Sequence, residues 1–583
     1  MKYRILALAL VLVMVAGLMS ACGASSAESA APAEASAAGS SAEAEAVPAA
    51  EEPAAEAPAE AAAPEQPASA EETEEAEEPE PIPEVEYPLT EEDVTFELWF
   101  PFPGDLSDIM EEYLGQGKNS VLAAAKEITG VNLGFILQSV NAATDNFNLM
   151  VASGDYPDLI FNPSSYYTGG MDKAVADEVL LDLTDMVPEL APNYYRLINQ
   201  DETTLTACKT AEGRFVEIMR LEAEYAKPST GLVIRQDWLD DLGLDTPVTL
   251  DDMHEVLTAF KNEKGAVEAL GMTFTGILDG DEIASAFDAY GTYVPFMGAY
   301  PICLRDGKVA FGWKEDEMRE YLELISQWYA EGLLGKDFYI ENTGHGINYS
   351  KTTTDMVGVF LNDYFQLDLL EQFMQDPNAR LVGIPAPVKE EGQTLHFGSS
   401  QSLTSGFSWA ITTDCSDPEL AVQYADFYFT EEGSRMCNYG IEGEGMEYDA
   451  DGNPMYTELV YNNPDHSMRE TQVMYTLTVG PFVEVESRGD ISYSENAIAC
   501  RDIWGSNCDD LYTMPSVSLT ADQSSEVADI MGDLMTYASG KITEFIIGID
   551  SLDNWDEYIS QLEGFRVDRV TEIYQEAYDA SIA

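Results

Sequence analysis

The chain has 583 residues, an ordinary apolar content and a formal charge of −78. Its length exceeds what one hydrophobic core usually supports, so we expect two or more domains. The charge argues against a nucleic-acid-binding protein, because such affinity comes from Lys and Arg residues that neutralise phosphates, and less strongly against a polyanionic ligand.

The first residues have the pattern of a secretion signal. Lys2 and Arg4 precede an uncharged apolar run, residues 5–18, which is too short for a comfortable membrane span. Small residues then end on Cys22, which resembles the lipobox of bacterial lipoproteins, although Met19 stands where these usually carry Leu. The resemblance implies a lipoprotein signal peptide at 1–21 and lipidation of Cys22. The alternative is an ordinary signal peptide with an accidental cysteine.

Residues 23–93 consist mainly of Ala, Glu, Pro and Ser, with 21 carboxylates and no Lys or Arg. Such a segment buries too little apolar surface to fold. We therefore expect residues 22–93 to be a lipidated cysteine followed by a disordered acidic tether, with an average end-to-end distance of roughly 45–50 Å. This length would hold a folded domain away from a membrane.

The body begins with a strand–helix–strand–helix–strand pattern. Strands are predicted at residues 94–100, 131–137 and 159–161, which favours a mostly parallel sheet flanked by helices. Ligands of open α/β sheets bind beyond the carboxyl ends of the strands. This rule selects Trp99, Asn162, Tyr166 and Tyr167, whose rings and amide suit the faces and hydroxyls of a sugar. For Trp99, packing under the loop is the alternative.

Residues 231–261 read as strand, helix, loop and helix. Gly243 ends the first helix, and Thr249 begins the second as an N-cap with Asp252 three residues on. Arg235 ends the strand and is a candidate ligand contact, with an ion pair to Asp237 as the alternative. A further strand at residues 356–361 places Asn362 and Tyr364 just beyond its end, and packing is the alternative for Tyr364.

Several stretches resemble the family-1 extracellular solute-binding proteins, the capture subunits of ABC sugar importers. They include IRQDWL at residues 234–239, LGL at 242–244, SGDYPDL at 153–159 and WYAEGL at 328–333. In that family the IRQDWL stretch carries the chain from one lobe to the other. The matches recur in order over most of residues 94–583 and are most similar to the long, lipid-anchored branch of the family.

The resemblance implies a two-lobe α/β fold of the periplasmic-binding-protein type, class II. Each lobe is then a mixed, mostly parallel sheet flanked by helices, and the ligand cleft lies between the lobes. We expect lobe one to comprise residues 94–231 and 384–435. Lobe two is expected to comprise residues 232–383 and 436–583, the last part including C-terminal helices.

The resemblance also implies a function. We expect a monomeric receptor, lipid-anchored on the extracellular face of a Gram-positive type membrane, that binds an oligosaccharide and delivers it to ABC permease subunits. The predicted ligand contacts are Trp99, Asn162, Tyr166, Tyr167, Arg235, Asn362 and Tyr364. A peptide receptor of the same fold is the alternative, and a surface-anchored glycan hydrolase is a more distant one.

Patterns typical of catalysis or metal binding are weak. The sequence has no G-x-S-x-G, HExxH or P-loop pattern, and paired carboxylates for glycoside hydrolysis are not distinguishable among so many acids. The acidic stretches 449–453 and 279–282 lack EF-hand spacing, so we predict no cofactor and keep structural calcium as a minor alternative. Six further cysteines allow 15 pairings, and none is assigned.

Overall fold

The computed structural model describes residues 85–102, 106–223, 227–278, 282–292, 300–340, 349–398, 403–477 and 479–582. The side chains at positions 141, 405, 406, 486 and 490 are not described. The predicted signal peptide, Cys22 and most of the predicted tether lie outside the described residues.

The strands form two larger sheets and two ribbons. They are β1 (Val94–Phe102), β2 (Val131–Ser139), β3 (Leu159–Phe161), β4 (Glu217–Glu222), β5 (Thr230–Arg235), β6 (Glu268–Gly271), β7 (Ile302–Arg305), β8 (Lys308–Phe311), β9 (Val357–Asp363), β10 (Leu381–Gly383), β11 (Thr404–Ile411), β12 (Met446–Tyr448), β13 (Pro454–Tyr456) and β14 (Val483–Glu484).

Helices surround both larger sheets. In the first half of the chain they are α1 (Ser107–Met110), α2 (Ser120–Thr129), α3 (Ala143–Ser153), α4 (Gly170–Ala176), α5 (Met186–Leu190), α6 (Pro192–Ile198), α7 (Glu202–Ala207), α8 (Gln236–Leu242), α9 (Leu250–Ala259) and α10 (Phe274–Leu278). In the second half they are α11 (Asp316–Glu331), α12 (Tyr349–Thr353), α13 (Tyr364–Phe373), α14 (Pro418–Phe427), α15 (Glu431–Tyr439), α16 (Glu458–Tyr461), α17 (Met468–Tyr475), α18 (Glu486–Asp490), α19 (Glu495–Ile503), α20 (Ala521–Ile546), α21 (Trp555–Gly564) and α22 (Val567–Ser581).

Lobe one is built on a six-stranded sheet with the order β14-β4-β11-β3-β1-β2. The strands β2, β1 and β3 are parallel, as predicted, while β11 is antiparallel to both β3 and β4. Side chains alternate along β1: Phe96 and Leu98 enter one core, and Trp99 enters a smaller core against Phe147 of α3. Both faces of the sheet are therefore covered by helices, which is the layered arrangement expected of an α/β lobe.

Lobe two is built on a four-stranded sheet with the order β10-β5-β9-β6. Here β5 is antiparallel to both neighbours, whereas β6 and β9 are parallel. The capping box predicted at Thr249 and Asp252 is present at the start of α9. The C-terminal helices complete the core of this lobe; for example, the Tyr558 hydroxyl donates to the Trp313 carbonyl at 3.1 Å.

The chain returns to lobe one later, and stays there longer, than the sequence predicts. Ile384, Val388 and Leu395 still pack in the lobe-two core, so the return follows residue 398 rather than 383. Lobe one then continues past residue 435 to β14, with Asn119 Nδ2 donating to the Val473 carbonyl at 2.7 Å. Helical periodicity in residues 431–475 reveals a buried face but not which lobe buries it.

The segment 85–93, placed in the tether by sequence, packs against lobe one. The Tyr87 ring meets the Phe427 ring edge-on, with centroids 5.6 Å apart, and the Leu89 N–H donates to the Thr129 carbonyl at 2.8 Å. The folded body therefore begins before Tyr87. This short stretch contains Val85, Tyr87 and Leu89, and these larger apolar residues distinguish it from the Ala/Glu/Pro segment before it.

The six body cysteines are free thiols, and five of them are buried. Within the described ranges, no helix combines the length and the apolarity that a membrane crossing needs.

The boundary of the folded body is testable by truncation. A chain that starts at Val85 should melt like the full-length protein, whereas one that starts at Glu91 should lose about 2–3 kcal/mol of unfolding free energy, because the side chains of Tyr87 and Leu89 leave the core. Urea unfolding of the two truncated chains measures the difference. Equal stability would show that residues 85–90 add nothing to lobe one.

Candidate functional site

The two larger sheets meet at the segment that joins β4 to β5. Glu222 ends β4 in lobe one, and Thr230 begins β5 in lobe two. Because β9 is antiparallel to β5, its last residue, Asp363, pairs with Thr230. The carboxyl end of β9 therefore lies at one end of this crossing, and the carboxyl ends of β4, β3 and β1 lie at the other. Ligands of α/β sheets bind at such ends.

Asn162 directly follows β3 at the lobe-one edge. Its backbone is left-handed, with φ of 48°, and its N–H donates to the Ser408 carbonyl of β11 at 2.9 Å. The side chain donates to the Ser165 hydroxyl at 3.0 Å and accepts from the Ser164 hydroxyl at 3.1 Å. This turn gathers one amide and two hydroxyls, and strained backbone of this kind occurs often at binding sites.

Tyr166 extends the same edge, while Trp99 supports it from below. The Trp99 side chain is 3% exposed, and its ring lies 5.3 Å from that of Tyr166 and 5.5 Å from that of Phe147. Burial raises the pKa of Tyr166, which is half-buried. The Trp99 ring thus packs against Tyr166 and is not exposed at the sheet edge.

Tyr167 is held by its own hydroxyl. It donates to Asp177 at 2.6 Å, and burial together with this carboxylate raises the pKa of the tyrosine. Its hydroxyl is therefore already satisfied within lobe one.

In lobe two, Tyr364 begins α13 directly after β9. Its N–H donates to the Ser229 carbonyl of the crossing at 3.0 Å, and its half-buried ring meets the Tyr493 ring edge-on at 5.3 Å. The Arg501 guanidinium lies 5.5 Å from the Tyr364 ring centroid. Burial raises the pKa of this tyrosine.

Asn362 precedes these residues but is 1% exposed. Its amide donates to the Asp363 carbonyl at 3.0 Å, and its side-chain oxygen is buried without a hydrogen-bond partner. Any contact with a ligand would require local opening of lobe two.

Arg235 lies at the opposite edge of the lobe-two sheet. Because β5 runs antiparallel to β9, its carboxyl end points away from the crossing. The guanidinium is fully buried, with ion pairs to Asp237 at 2.7 Å and Asp355 at 2.6 Å, and it stacks on Trp238. The expectation of a cleft contact assumed a parallel sheet, and this geometry favours the alternative of an ion pair.

The sequence analysis did not single out a buried ion network at the crossing. The Glu484 carboxylate of β14 accepts from Arg220 of β4 at 2.8 Å and from Arg488 of α18 at 3.0 Å. Both arginines hold the pKa of Glu484 below its usual value although burial opposes this. Only the pairing of β4 with β14 brings Arg220 to this network, because Arg220 lies 264 residues before Glu484.

Glu222 stands beside this network. It is the register partner of Glu484 on the neighbouring parallel strand. Burial, and then the charge of Glu484, raise the pKa of Glu222 to about 7, while Arg220 and Arg488 act in the opposite direction. Glu222 thus titrates near neutral pH at the point where the chain leaves lobe one.

Phe407 is a second residue that the sequence analysis did not select. It lies in β11 next to a bulge between Ser405 and Ser408, at the same edge as Asn162. Its ring is 40% exposed. The alternation along β11 predicts a strand here but carries no sign of the bulge.

The SGDYPD stretch, in contrast, has a structural role. Asp158 accepts from the Glu97 N–H at 2.9 Å and from the Ser416 N–H at 3.0 Å. Asp414 accepts from the Tyr156 N–H at 3.1 Å. An open groove of about 700 Å³ adjoins these carboxylates on the flank of lobe one, away from the crossing.

Within the described residues, no group of three or more His, Cys, Asp or Glu side chains is placed to hold a metal ion. Asp449 accepts from the Asp451 and Asn453 N–H groups at 2.9 and 2.7 Å, which closes a turn. Residues 279–281 of the other acidic stretch lie outside the description.

Comparisons with known proteins agree with this architecture. The sequence model of the family described as bacterial extracellular solute-binding protein matches residues 106–435. The chain is 23% identical to the fructooligosaccharide ABC transporter substrate-binding protein FusA of Streptococcus pneumoniae over 79% of this chain and 86% of that protein. It is 21% identical to the polygalacturonan/rhamnogalacturonan-binding protein YtcQ of Bacillus subtilis over 79% and 88%.

A solved structure of the alginate-binding protein AlgQ2 is similar in fold. It superimposes with a TM-score of 0.66 at 20% identity, covering 84% of this chain and 99% of that one. The two-lobe architecture expected from the sequence is thereby confirmed.

Substitution of Glu222 should change how stability depends on pH. Its pKa is raised on folding, so the folded state binds the proton more tightly, and the wild type loses stability as pH rises from about 5 to about 8. Glu222→Gln lacks this carboxylate, so the difference in stability between the variant and the wild type should shift in favour of the variant as pH rises over that range. Thermal melts at each pH measure the gain.

The matched control is Glu442→Gln, at an exposed glutamate of lobe one. A difference between Glu222→Gln and wild type that stays constant from pH 5 to 8 would contradict the assignment.

Proposed function

The chain belongs to the bacterial extracellular solute-binding proteins, and we propose that it captures a carbohydrate outside the cell and delivers it to the membrane-spanning permease of an ABC importer. It acts as a binding protein rather than an enzyme. Its site lies between the two lobes, at the sheet edges that flank the crossing from β4 to β5.

The observation that carries this proposal is the chemistry of the two edges. Lobe one presents the amide of Asn162, the hydroxyls of Ser164 and Ser165, and the ring of Tyr166. Lobe two presents Tyr364 at the end of β9. Directed polar groups beside aromatic surfaces suit a sugar, whose hydroxyls need hydrogen bonds and whose C–H faces pack on rings.

Of the residues selected from sequence, Asn162, Tyr166 and Tyr364 form the proposed contacts. Trp99 and Tyr167 support them from within lobe one. Arg235 and Asn362 stay outside the proposed site because both are buried in lobe two.

An oligosaccharide is the proposed ligand. The relatives FusA and YtcQ are named for fructooligosaccharide and for polygalacturonan and rhamnogalacturonan, which are chains of several sugar units. These relatives are matched over most of their length, so the same large two-lobe body is available here.

Anchoring by lipid completes the proposal. Cys22 would carry the lipid, and the acidic segment that follows would hold the body away from the membrane surface. The relative LipO of Bacillus subtilis, 25% identical over 59% of this chain, is named a lipoprotein. The receptor acts as a monomer on the extracellular face of a Gram-positive type membrane.

A ligand panel tests the capture of a sugar. Fructooligosaccharides, oligogalacturonides and short peptides are each added to purified protein, and unfolding and product formation are followed together. We expect an oligosaccharide at 100 times its Kd to stabilise the folded state by about 2.7 kcal/mol without being cleaved. Stabilisation by peptides alone, or cleavage of a glycan, would contradict the proposal.

Replacement of Cys22 tests the anchor. Cys22→Ala removes the thiol that would carry the lipid, so the protein should shift from the membrane fraction to the medium or remain unprocessed. Fractionation of cells and immunoblotting measure the shift, with Cys208→Ala as the control cysteine. Membrane retention equal to that of the wild type would contradict lipidation at Cys22.

A further inference from the structure

We propose that Phe407 is a ligand-binding residue whose ring packs against the apolar face of one sugar unit, and that Arg220 is the positioning residue that holds this ring in place. The inference rests on the proposed capture of a carbohydrate and adds a subsite to it.

Phe407 lies where a ligand would reach it. Since β11 is antiparallel to β3 and β4, the beginning of β11 lies at the edge where those two strands end. The Asn162 N–H donates to the carbonyl of Ser408, the residue after Phe407. The ring therefore lies at the same end of the sheet as the Asn162 turn.

Phe407 lies within the bulge of β11. The register with β4 shifts between Ser405 and Ser408, so residues 406 and 407 have no register partner on β4. Bulges redirect side chains and occur often next to functional sites. At 40% exposure, Phe407 leaves part of an aromatic surface open to solvent at the end of the sheet.

The ring is also held rigidly. The Arg220 guanidinium lies 4.1 Å from the Phe407 ring centroid and 4.4 Å from that of Phe482, so it is layered between the two rings. The Phe161 ring at the end of β3 meets Phe407 edge-on at 5.7 Å. Arg220 is itself 4% exposed and is fixed by Glu484 and by the Gly480 carbonyl.

A restrained, partly exposed ring at the same end of a sheet as hydrogen-bonding groups suits a sugar for a physical reason. The contacts with Arg220 and Phe161 restrict the side chain before binding, so less rotational entropy is lost when the ligand binds. The C–H groups on one face of the sugar cover the ring, and its hydroxyls reach the polar groups of the Asn162 turn.

The main test compares two exposed phenylalanines. The sugar that most stabilises the wild type in the panel of fructooligosaccharides and oligogalacturonides serves as the probe. Phe407→Ala should weaken its binding roughly ten- to a hundredfold in calorimetry, whereas Phe407→Tyr should bind like the wild type. Phe373→Ala, at a ring that is 63% exposed on α13, is the matched control and should leave the affinity unchanged.

Phe407→Leu is the control for a folding defect, because it keeps an apolar side chain of similar bulk but removes the ring. It should melt like the wild type and bind as weakly as Phe407→Ala. Wild-type affinity in both Phe407→Ala and Phe407→Leu overturns the inference while leaving sugar capture intact. A panel in which no sugar stabilises the wild type overturns the proposed function and this inference with it.

A double-mutant cycle tests the role of Arg220. Arg220→Lys should weaken binding in the wild-type background but cause no further loss in the Phe407→Ala background, since it acts through the ring. Equal losses in both backgrounds would assign Arg220 a purely structural role.

Discussion

The Glu484 carboxylate is held between Arg220 and Arg488 at the point where the chain passes from lobe one to lobe two. Both arginines are buried and Glu484 is half-buried, and buried charges are costly unless paired, so loss of Glu484 would leave the arginines uncompensated. The network joins β4, β14 and α18, and the chain leaves lobe one directly after β4 and again after β14. One ion network thus links the lobe-one residues at which two connections to lobe two begin.

This constraint also organises the proposed binding surface. Arg220 is part of the ion network and at the same time covers one side of Phe407. The Asn162 turn is tied to the same strand through Ser408. The proposed ligand contacts on lobe one therefore lie next to the connection to lobe two, and closure of the lobes around a sugar would bring Tyr364 toward this surface.

Local sequence predicted the elements that local forces determine. The parallel strands around Trp99, the left-handed end at Gly243 and the capping box at Thr249 all follow from short-range patterns. The candidate residues Asn162 and Tyr364 were selected by the rule that strand ends bind ligands.

The pairing of strands that are distant in sequence could not be predicted from such short-range patterns. Whether β5 runs parallel or antiparallel to β9 decides which edge Arg235 occupies, and residue types do not reveal it. The bulge beside Phe407 and the proximity of Glu222 to Glu484 likewise arise only when distant strands pair. The SGDYPD stretch supported the correct family, and its Asp158 accepts hydrogen bonds from the N–H groups of Glu97 and Ser416.

The central claim is that one sugar contacts both sheet edges. Hydrogen–deuterium exchange of the full body, with and without a stabilising oligosaccharide, measures this most directly. The account predicts slower exchange upon binding in residues 162–167 and 403–408 of lobe one together with residues 362–365 of lobe two. Protection confined to one lobe, or located in the groove on the flank of lobe one, would contradict it.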